Sequence, residues 1–291
     1  MRTKGFIEML GATFIWGSVP LMGIWSGLPS AIFVFFRVLF ALPFIFFFVL
    51  KHISLKEFFK VKPFWPLLLS GIMLGVNWVF FFWAIKVIDV ATVVTIYYAG
   101  PIISILLASI FLNEKVDFFV VLSVVLAFIG IFISSGSLTF SKGILIAFLA
   151  ALSYGLLGFF SKIATFYHKA TVITGWQILI SVFITFPFLF LGKWGLSFKS
   201  LIVVIVAGVV HTALALFLWY DALSYISVSL ASILQYLDIV FATILAYLFL
   251  NQIPVPAVNQ IIEALLIVIS GSLISLKEMK GTVVRLGRNT R

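Results

Sequence analysis

Long apolar runs broken by short polar clusters set the rhythm of this chain. The runs are about 20 residues long, the length an α-helix needs to cross the hydrocarbon layer of a bilayer, and they are not ten-residue alternating strands. Ten spans are predicted, at roughly 5–25, 31–50, 64–86, 90–112, 117–137, 143–164, 171–191, 200–220, 227–249 and 256–276. The breaks fall where turn residues or charge collect. Examples are Ser26-Gly27-Leu28-Pro29-Ser30, the stretch from Lys51 to Lys62, and Asn251-Gln252-Ile253-Pro254-Val255-Pro256. Every connection is short, which leaves no soluble domain to host separate chemistry.

The pattern repeats. At an offset of 138 residues Gly5 meets Gly143, Trp16-Gly17 meets Tyr154-Gly155, Ala84 meets Ala222 and Tyr98 meets Tyr236. Phe111-Leu112-Asn113 meets Phe249-Leu250-Asn251. Each half holds five predicted spans. Five is odd, so the second half enters the membrane from the opposite side. The expected fold is an all-α integral membrane protein of ten transmembrane helices in two inverted five-helix repeats, 1–138 and 139–276, with a tail at 277–291. Inverted repeats are characteristic of alternating-access carriers.

Composition agrees with a bilayer as solvent. The chain is 64% hydrophobic and 10% charged, against roughly 25% charged in an average soluble domain. Charge then sets orientation. With a cytoplasmic N-terminus, fourteen Lys and Arg fall on the inner side, four (Lys86, Lys142, Lys193, Lys199) on the outer side, and Arg37 lies within a span. That excess predicts both termini in the cytoplasm and a multi-pass protein of the cell membrane. The net charge of +10 is thus a topology signal with some attraction to anionic lipid, and nucleic acid is not an expected partner. The first span resembles a signal peptide after Arg2 and Lys4. Its match to the sixth span and the want of a small-residue cleavage site argue for a retained helix. Zero cysteines exclude disulfides and thiolate metal sites. The stretch from Gly281 to Arg291 is polar and expected to be disordered.

Several segments together resemble the drug/metabolite transporter superfamily, in its EamA-type ten-helix branch. They are Trp16-Gly17, Phe35-Phe36-Arg37, Asn77-Trp78 through Ala84, Asp89-Val90-Ala91, Tyr98-Ala99-Gly100-Pro101 and Leu112-Asn113-Glu114, with a fainter echo at Leu250-Asn251-Gln252. The resemblance covers about residues 5–276 and implies fold and transport, not substrate. Three departures limit what can be carried over: Asn113 stands before the acid of the helix 4–5 link, Gln252 replaces an acid, and Asp238 replaces an apolar residue.

Ionisable groups at mid-membrane cost about 2.5–3.5 kcal/mol on insertion scales, so each needs a partner, a cavity or neutrality. Asp238 lies midway along the ninth span and shares a face with Gln235 and Ala242. The offset maps this face onto Tyr97, Gly100 and Ser104. Two such faces meeting at mid-membrane make a cavity, and Tyr97, Gln235 and Asp238 are candidate substrate contacts. The alternative for Asp238 is a carboxyl that only hydrogen-bonds a neighbouring helix. Arg37 can snorkel, pair with an acid, or hold an anionic substrate, with a structural ion pair the simplest account. His211 and Asp238 are candidate proton carriers, although a lone packed histidine is the commoner case. Asn77 suits helix glue or ligand contact equally. Trp16, Tyr154, Trp78 and Phe81 are candidates for an aromatic wall, with ordinary helix packing as the alternative. Trp65, Trp194 and Trp219 are expected to be interfacial anchors. Lys86, Asp89 and Asp221 cap helix ends and are candidate gate residues. Gly17, Pro20, Pro43, Gly100, Pro101 and Pro187 are expected inside helices, as bends. Glu263, with Gln260 and Asn259, is expected to serve structure or subunit contact.

These features favour a secondary transporter, in the efflux direction, for a small organic metabolite such as an amino acid or amine. Helices 1, 3, 4, 6, 8 and 9 are expected around the site. No nucleotide-binding P-loop is present, so the substrate gradient or protons supply the energy. No metal or other cofactor is expected, and the protein is a monomer or homodimer. A channel is the first alternative. An intramembrane enzyme is the second, without a nucleophile–base pair or a metal motif in the sequence to support it.

Overall fold

Apolar runs become helices in the described part of the computed structural model. It describes residues 2–112, 141–222 and 237–251, together with positions 118, 122, 125, 126, 129, 225, 234, 262, 265, 266 and 269. In chain order the helices are α1 (Arg2–Trp25), α2 (Ser30–His52), α3 (Leu55–Phe59), α4 (Trp65–Ala84), α5 (Val90–Tyr97), α6 (Ala99–Phe111), α7 (Lys142–Thr165) and α8 (Ala170–Thr185). They continue with α9 (Phe198–Gly208), α10 (Ala215–Ala222) and α11 (Leu237–Leu250). A 3-10 turn follows α8 at Phe186–Phe190, and a π turn at Val209–Leu214 joins α9 to α10. Among the described residues there is no strand. Ser54, Asp89, Ser141 and Ser197 cap α3, α5, α7 and α9, each side chain accepting from the backbone N–H three residues on.

Six described segments are long and apolar enough to cross a membrane: Thr3–Trp25, Ser30–His52, Trp65–Ala84, Lys142–Thr165, Thr171–Phe190 and Phe198–Trp219. Phe198 is 79% exposed and Phe190 74%. Rings so bare are costly in water and at ease against lipid chains.

The spans differ from the sequence expectation in four places. The fourth is two helices that meet at Tyr98. The seventh stops being α-helical at Thr185, and Pro187 sits in the first turn of the 3-10 segment, where its missing N–H is harmless, and not inside an α-helix. The eighth is interrupted by the π turn. Helix α3 was not expected at all; Phe58 on it is fully buried and stacks on Trp176 at 5.4 Å and 6°. Most of the fifth and tenth spans, Pro101's side chain, Asn113, Glu114, Gln252, Glu263 and the tail from 277 lie outside what is described.

Side-chain contacts fix the relative directions of the helices. Lys4 at the start of α1 meets Asp221 at the end of α10, while Ser200 at the start of α9 bonds the Ser26 carbonyl at 2.7 Å. So α1 runs antiparallel to α9–α10. It runs parallel to α11, with Trp25 against Phe249 at 5.9 Å. Helix α4 runs antiparallel to α7, as Trp65 meets Phe160 and Lys142 meets Trp83.

Two glycines set the closest approaches. A Cβ on Gly17 of α1 would stand 2.6 Å from Cβ of Phe241 and 3.0 Å from the Asp238 carbonyl on α11. A Cβ on Gly155 of α7 would stand 2.6 Å from Cβ of Ile103 and 2.9 Å from the Gly100 carbonyl on α6. Gly17 and Gly155, Phe241 and Ile103, Asp238 and Gly100 are each 138 residues apart. One contact is made twice at the offset of the sequence repeat.

Candidate functional site

A cavity of about 310 Å³ lies between these helices. Residues from α1, α2, α4, α5, α7, α8, the π turn, α10 and α11 line it. Its wall also repeats at the 138-residue offset: Trp16 and Tyr154, Val19 and Leu157, Leu74 and Thr212, Trp78 and Leu216, Phe81 and Trp219 all face the space. Nine of the ten candidate residues line it, namely Trp16, Arg37, Asn77, Trp78, Phe81, Tyr97, Tyr154, His211 and Asp238. The tenth, Gln235, lies outside the described residues.

Arg37 departs most from expectation. It is 3% exposed and does not reach the surface. Among the described residues it pairs with no acid; the ion pairs there are Lys4–Glu8, Lys4–Asp221 and Lys169–Glu57. Its Nε donates to Thr212 Oγ1 at 2.7 Å and its Nη2 to the His211 carbonyl at 3.2 Å. Its guanidinium carbon lies 4.5 Å from the centre of the Trp78 ring and 5.6 Å from that of Phe82. Cation–π attraction at a desolvated site such as this offsets desolvation by about 2 kcal/mol or more.

The π turn explains why α9–α10 can serve Arg37. One extra residue in the turn disturbs the i→i−4 ladder and releases carbonyls. Thr212 Oγ1 donates to the Ala207 carbonyl at 3.1 Å while accepting from Arg37, and the His211 carbonyl turns to Arg37. Gly208, just before the turn, lets the helix close on α2: a Cβ there would be 2.7 Å from the Arg37 carbonyl oxygen. The His211 ring reaches the other way, with Nε2 3.0 Å from Ser18 Oγ on α1.

At the α5–α6 junction Tyr97 stacks on Tyr154 at 4.6 Å and 8°, with Phe81 4.9 Å from Tyr97. Tyr98 turns its hydroxyl to the Asp238 carboxyl. Asp238 Oδ1 is buried and makes no hydrogen bond among the described residues. Asn77 is fully buried beside Tyr97, yet neither its Nδ2 nor its Oδ1 makes a hydrogen bond of ordinary geometry there. Gly100 is the repeat mate of Asp238, and the Tyr154 ring packs directly on it.

Sequence reasoning missed Tyr98, Thr174, Gln177, Thr212 and Trp219 as cavity residues. Trp219 was expected to be an interfacial anchor. It faces the cavity, its ring 6.4 Å from that of Trp16. The 138-residue offset that carries Phe81 onto Trp219 held the signal. Gln177 donates to Ser161 Oγ at 2.8 Å, bracing α8 against α7 at the cavity edge.

The expected gate residues divide. Asp89 caps α5 through Thr92. Lys86, whose burial in the loop pulls it below the usual lysine value, donates to the Leu28 carbonyl. Asp221 is no simple cap: Lys4 reaches its Oδ2 at 2.9 Å, Glu8 at 3.4 Å and the Tyr225 hydroxyl at 3.2 Å. The hydrogen bond from Lys4 holds the Asp221 carboxyl below its ordinary range. A depressed carboxylate contributes stability above its unfolded pKa and loses it as pH falls through the folded value. The Lys4–Asp221 clasp is therefore complete at neutral pH and opens only in acid. Lys4→Asp is expected to raise hydrogen exchange at the foot of α1, and adding Asp221→Lys to restore protection.

Comparison with known proteins places this architecture. The EamA-like transporter family matches residues 3–136 and again 141–276. The chain is 31% identical over 257 residues to the uncharacterized transporter YxxF of Bacillus subtilis (strain 168), covering 85% of this chain and 82% of that one. It is 28% identical over 267 residues to protein RarD of Salmonella typhimurium, covering 86% and 88%. One solved crystal structure overlays with a TM-score of 0.67 at 17% identity, across 96% of this chain and 99% of its own, a likeness of fold alone. Two family matches that together span nearly the whole chain, on an all-helical body with long apolar spans, leave one conclusion: the chain belongs to the EamA-like transporter family.

Proposed function

We propose that the protein is a secondary-active, alternating-access carrier that exports a small organic metabolite, such as an amino acid or amine, across the cytoplasmic membrane with both termini inside. One observation carries this. Both halves of the chain wall a single cavity that is mostly apolar and aromatic, yet holds Arg37 without an acid and Asn77 and Asp238 with unsatisfied atoms among the described residues. A pocket of that kind suits a ligand with an apolar body and a few polar groups. Its position between the two halves suits rocking of one half against the other. The twin glycine contacts, Gly17 on α11 and Gly155 on α6, are natural pivots, and the Lys4–Asp221 clasp is a natural cytoplasmic gate. Asp238 and His211 are the proton carriers to test, and Trp16, Trp78, Phe81, Tyr97 and Tyr154 the aromatic contacts.

Counterflow in proteoliposomes tests this. Unlabelled metabolite inside is expected to accelerate uptake of the same labelled compound. A channel passes the label without acceleration, and that outcome would overturn the carrier.

A further inference from the structure

We infer that the substrate enters this cavity with a carboxylate, which docks end-on to the Arg37 guanidinium. The inference presupposes that the cavity is a carrier's substrate site and narrows the class that site accepts to organic monocarboxylates with an apolar body. Simple amines fall outside it.

A guanidinium stays charged at any physiological pH. Arg37 nonetheless lies buried with no carboxylate or other anion beside it among the described residues. Among the described residues its hydrogen bonds use one edge. Nε–H and one Nη2–H point to Thr212 and to the His211 carbonyl. Because Nη2 lies on the Nε side of the group, this is the side-on edge. The second Nη2–H and the Nη1–H parallel to it are left, and these two form the end-on fork that matches the two oxygens of a carboxylate. Arg37 lines the cavity. The Trp78 ring packs against the group, its centre 4.5 Å from the guanidinium carbon.

Asn77 points to the same ligand. It is the residue before Trp78 on α4, fully buried and in the cavity lining, and its amide, beside the Tyr97 side chain, makes no hydrogen bond of ordinary geometry among the described residues. A carboxylate oxygen would accept from its Nδ2. Charge decides between ligand classes. An ammonium or other cation placed at Arg37 meets repulsion in a medium of low dielectric, and a neutral amide returns only part of the interaction. Asp238 is the one acid in the lining among the described residues. It opposes a second anionic group, which confines the class to monocarboxylates. Arg37 also breaks the repeat, its mate at the offset being Gly175, so among the described lining residues the permanent cation comes from the first half.

The test uses three probes of one shape: 3-phenylpropanoate, 3-phenylpropanamide and 3-phenylpropylamine. Binding to the purified wild-type protein is read by tryptophan fluorescence, and exchange by counterflow. The carboxylate is expected to bind about 10- to 100-fold more tightly than the amide or the amine. Arg37→Gln is expected to erase that preference, and Arg37→Lys to restore it in part, since charge returns without the fork. The wild-type series decides the matter even where a variant does not fold. Equal or tighter binding of the amine or amide, or no binding of the carboxylate at millimolar concentration, overturns the inference. If the amine accelerates exchange while the carboxylate does not bind, the carrier stands and the anion site falls. If the carboxylate binds through Arg37 and no probe accelerates exchange, the anion site stands and the carrier reading falls.

Discussion

Asparagine in place of Asp238 is expected to reduce transport about 10- to 100-fold and to flatten its dependence on pH. The substitution preserves size and can still accept from the Tyr98 hydroxyl, so the helices keep their packing. It removes the only carboxyl in the cavity lining among the described residues, and with it the one group there that can exchange a proton for a negative charge. Oδ1 of Asp238 is buried and, among the described residues, unsatisfied, a cost that stability alone does not explain and that a proton or a ligand donor would relieve. Counterflow measured across a pH series, on wild type and variant at matched reconstitution, reads both effects. An unchanged rate with an unchanged pH profile would remove Asp238 as a charge carrier.

Valine at Gly17 is expected to abolish transport and to lower thermal stability by about 1–3 kcal/mol, the usual cost of forced overpacking. At 2.6 Å from Cβ of Phe241 and 3.0 Å from a backbone carbonyl, even the first added carbon has no flexible neighbour to displace. Helix α1 must then move off α11, which opens the cavity wall between Trp16 and Asp238. Valine at Gly155 makes the same intrusion between α7 and α6 and is expected to behave alike. Gly11 on α1 provides the control, because a Cβ there meets only Leu218 Cδ1 at an ordinary 3.7 Å. Melting in detergent together with counterflow separates the cases. A Gly17→Val protein that melts and transports like wild type would show that the close approach is dispensable.

Much of this was legible in the chain. Apolar runs at helical length gave the spans, because lipid forces backbone groups to pair within each segment. The 138-residue offset placed Trp16 opposite Tyr154 and Asp238 opposite Gly100, and the same offset recurs in the glycine contacts and in the cavity wall. Other features stayed hidden because they depend on three-dimensional neighbours. Nothing local marks Thr212 as the acceptor for Arg37, since it lies 175 residues away. Helix α3 forms because Phe58 finds the Trp176 ring, a contact 118 residues distant that also brings the indole N–H to the Phe58 carbonyl. The expectation of an ion pair for Arg37 followed the general rule that buried charge seeks opposite charge. The chain instead meets it with a hydroxyl, a carbonyl and two rings.

The π turn at Val209–Leu214 also changes the phase of its helix. His211 and Trp219 are eight positions apart; at 100° per residue an unbroken α-helix would offset them by about 80°. Absorbing one extra residue in the turn brings them to within about 20° of each other. A periodicity calculation run straight through this span therefore assigns everything beyond Leu214 to the wrong face, and Trp219 to lipid. The turn divides one helix into two independently aimed surfaces. The first presents a hydroxyl and a carbonyl to Arg37, and the second presents an indole to the space that the guanidinium overlooks.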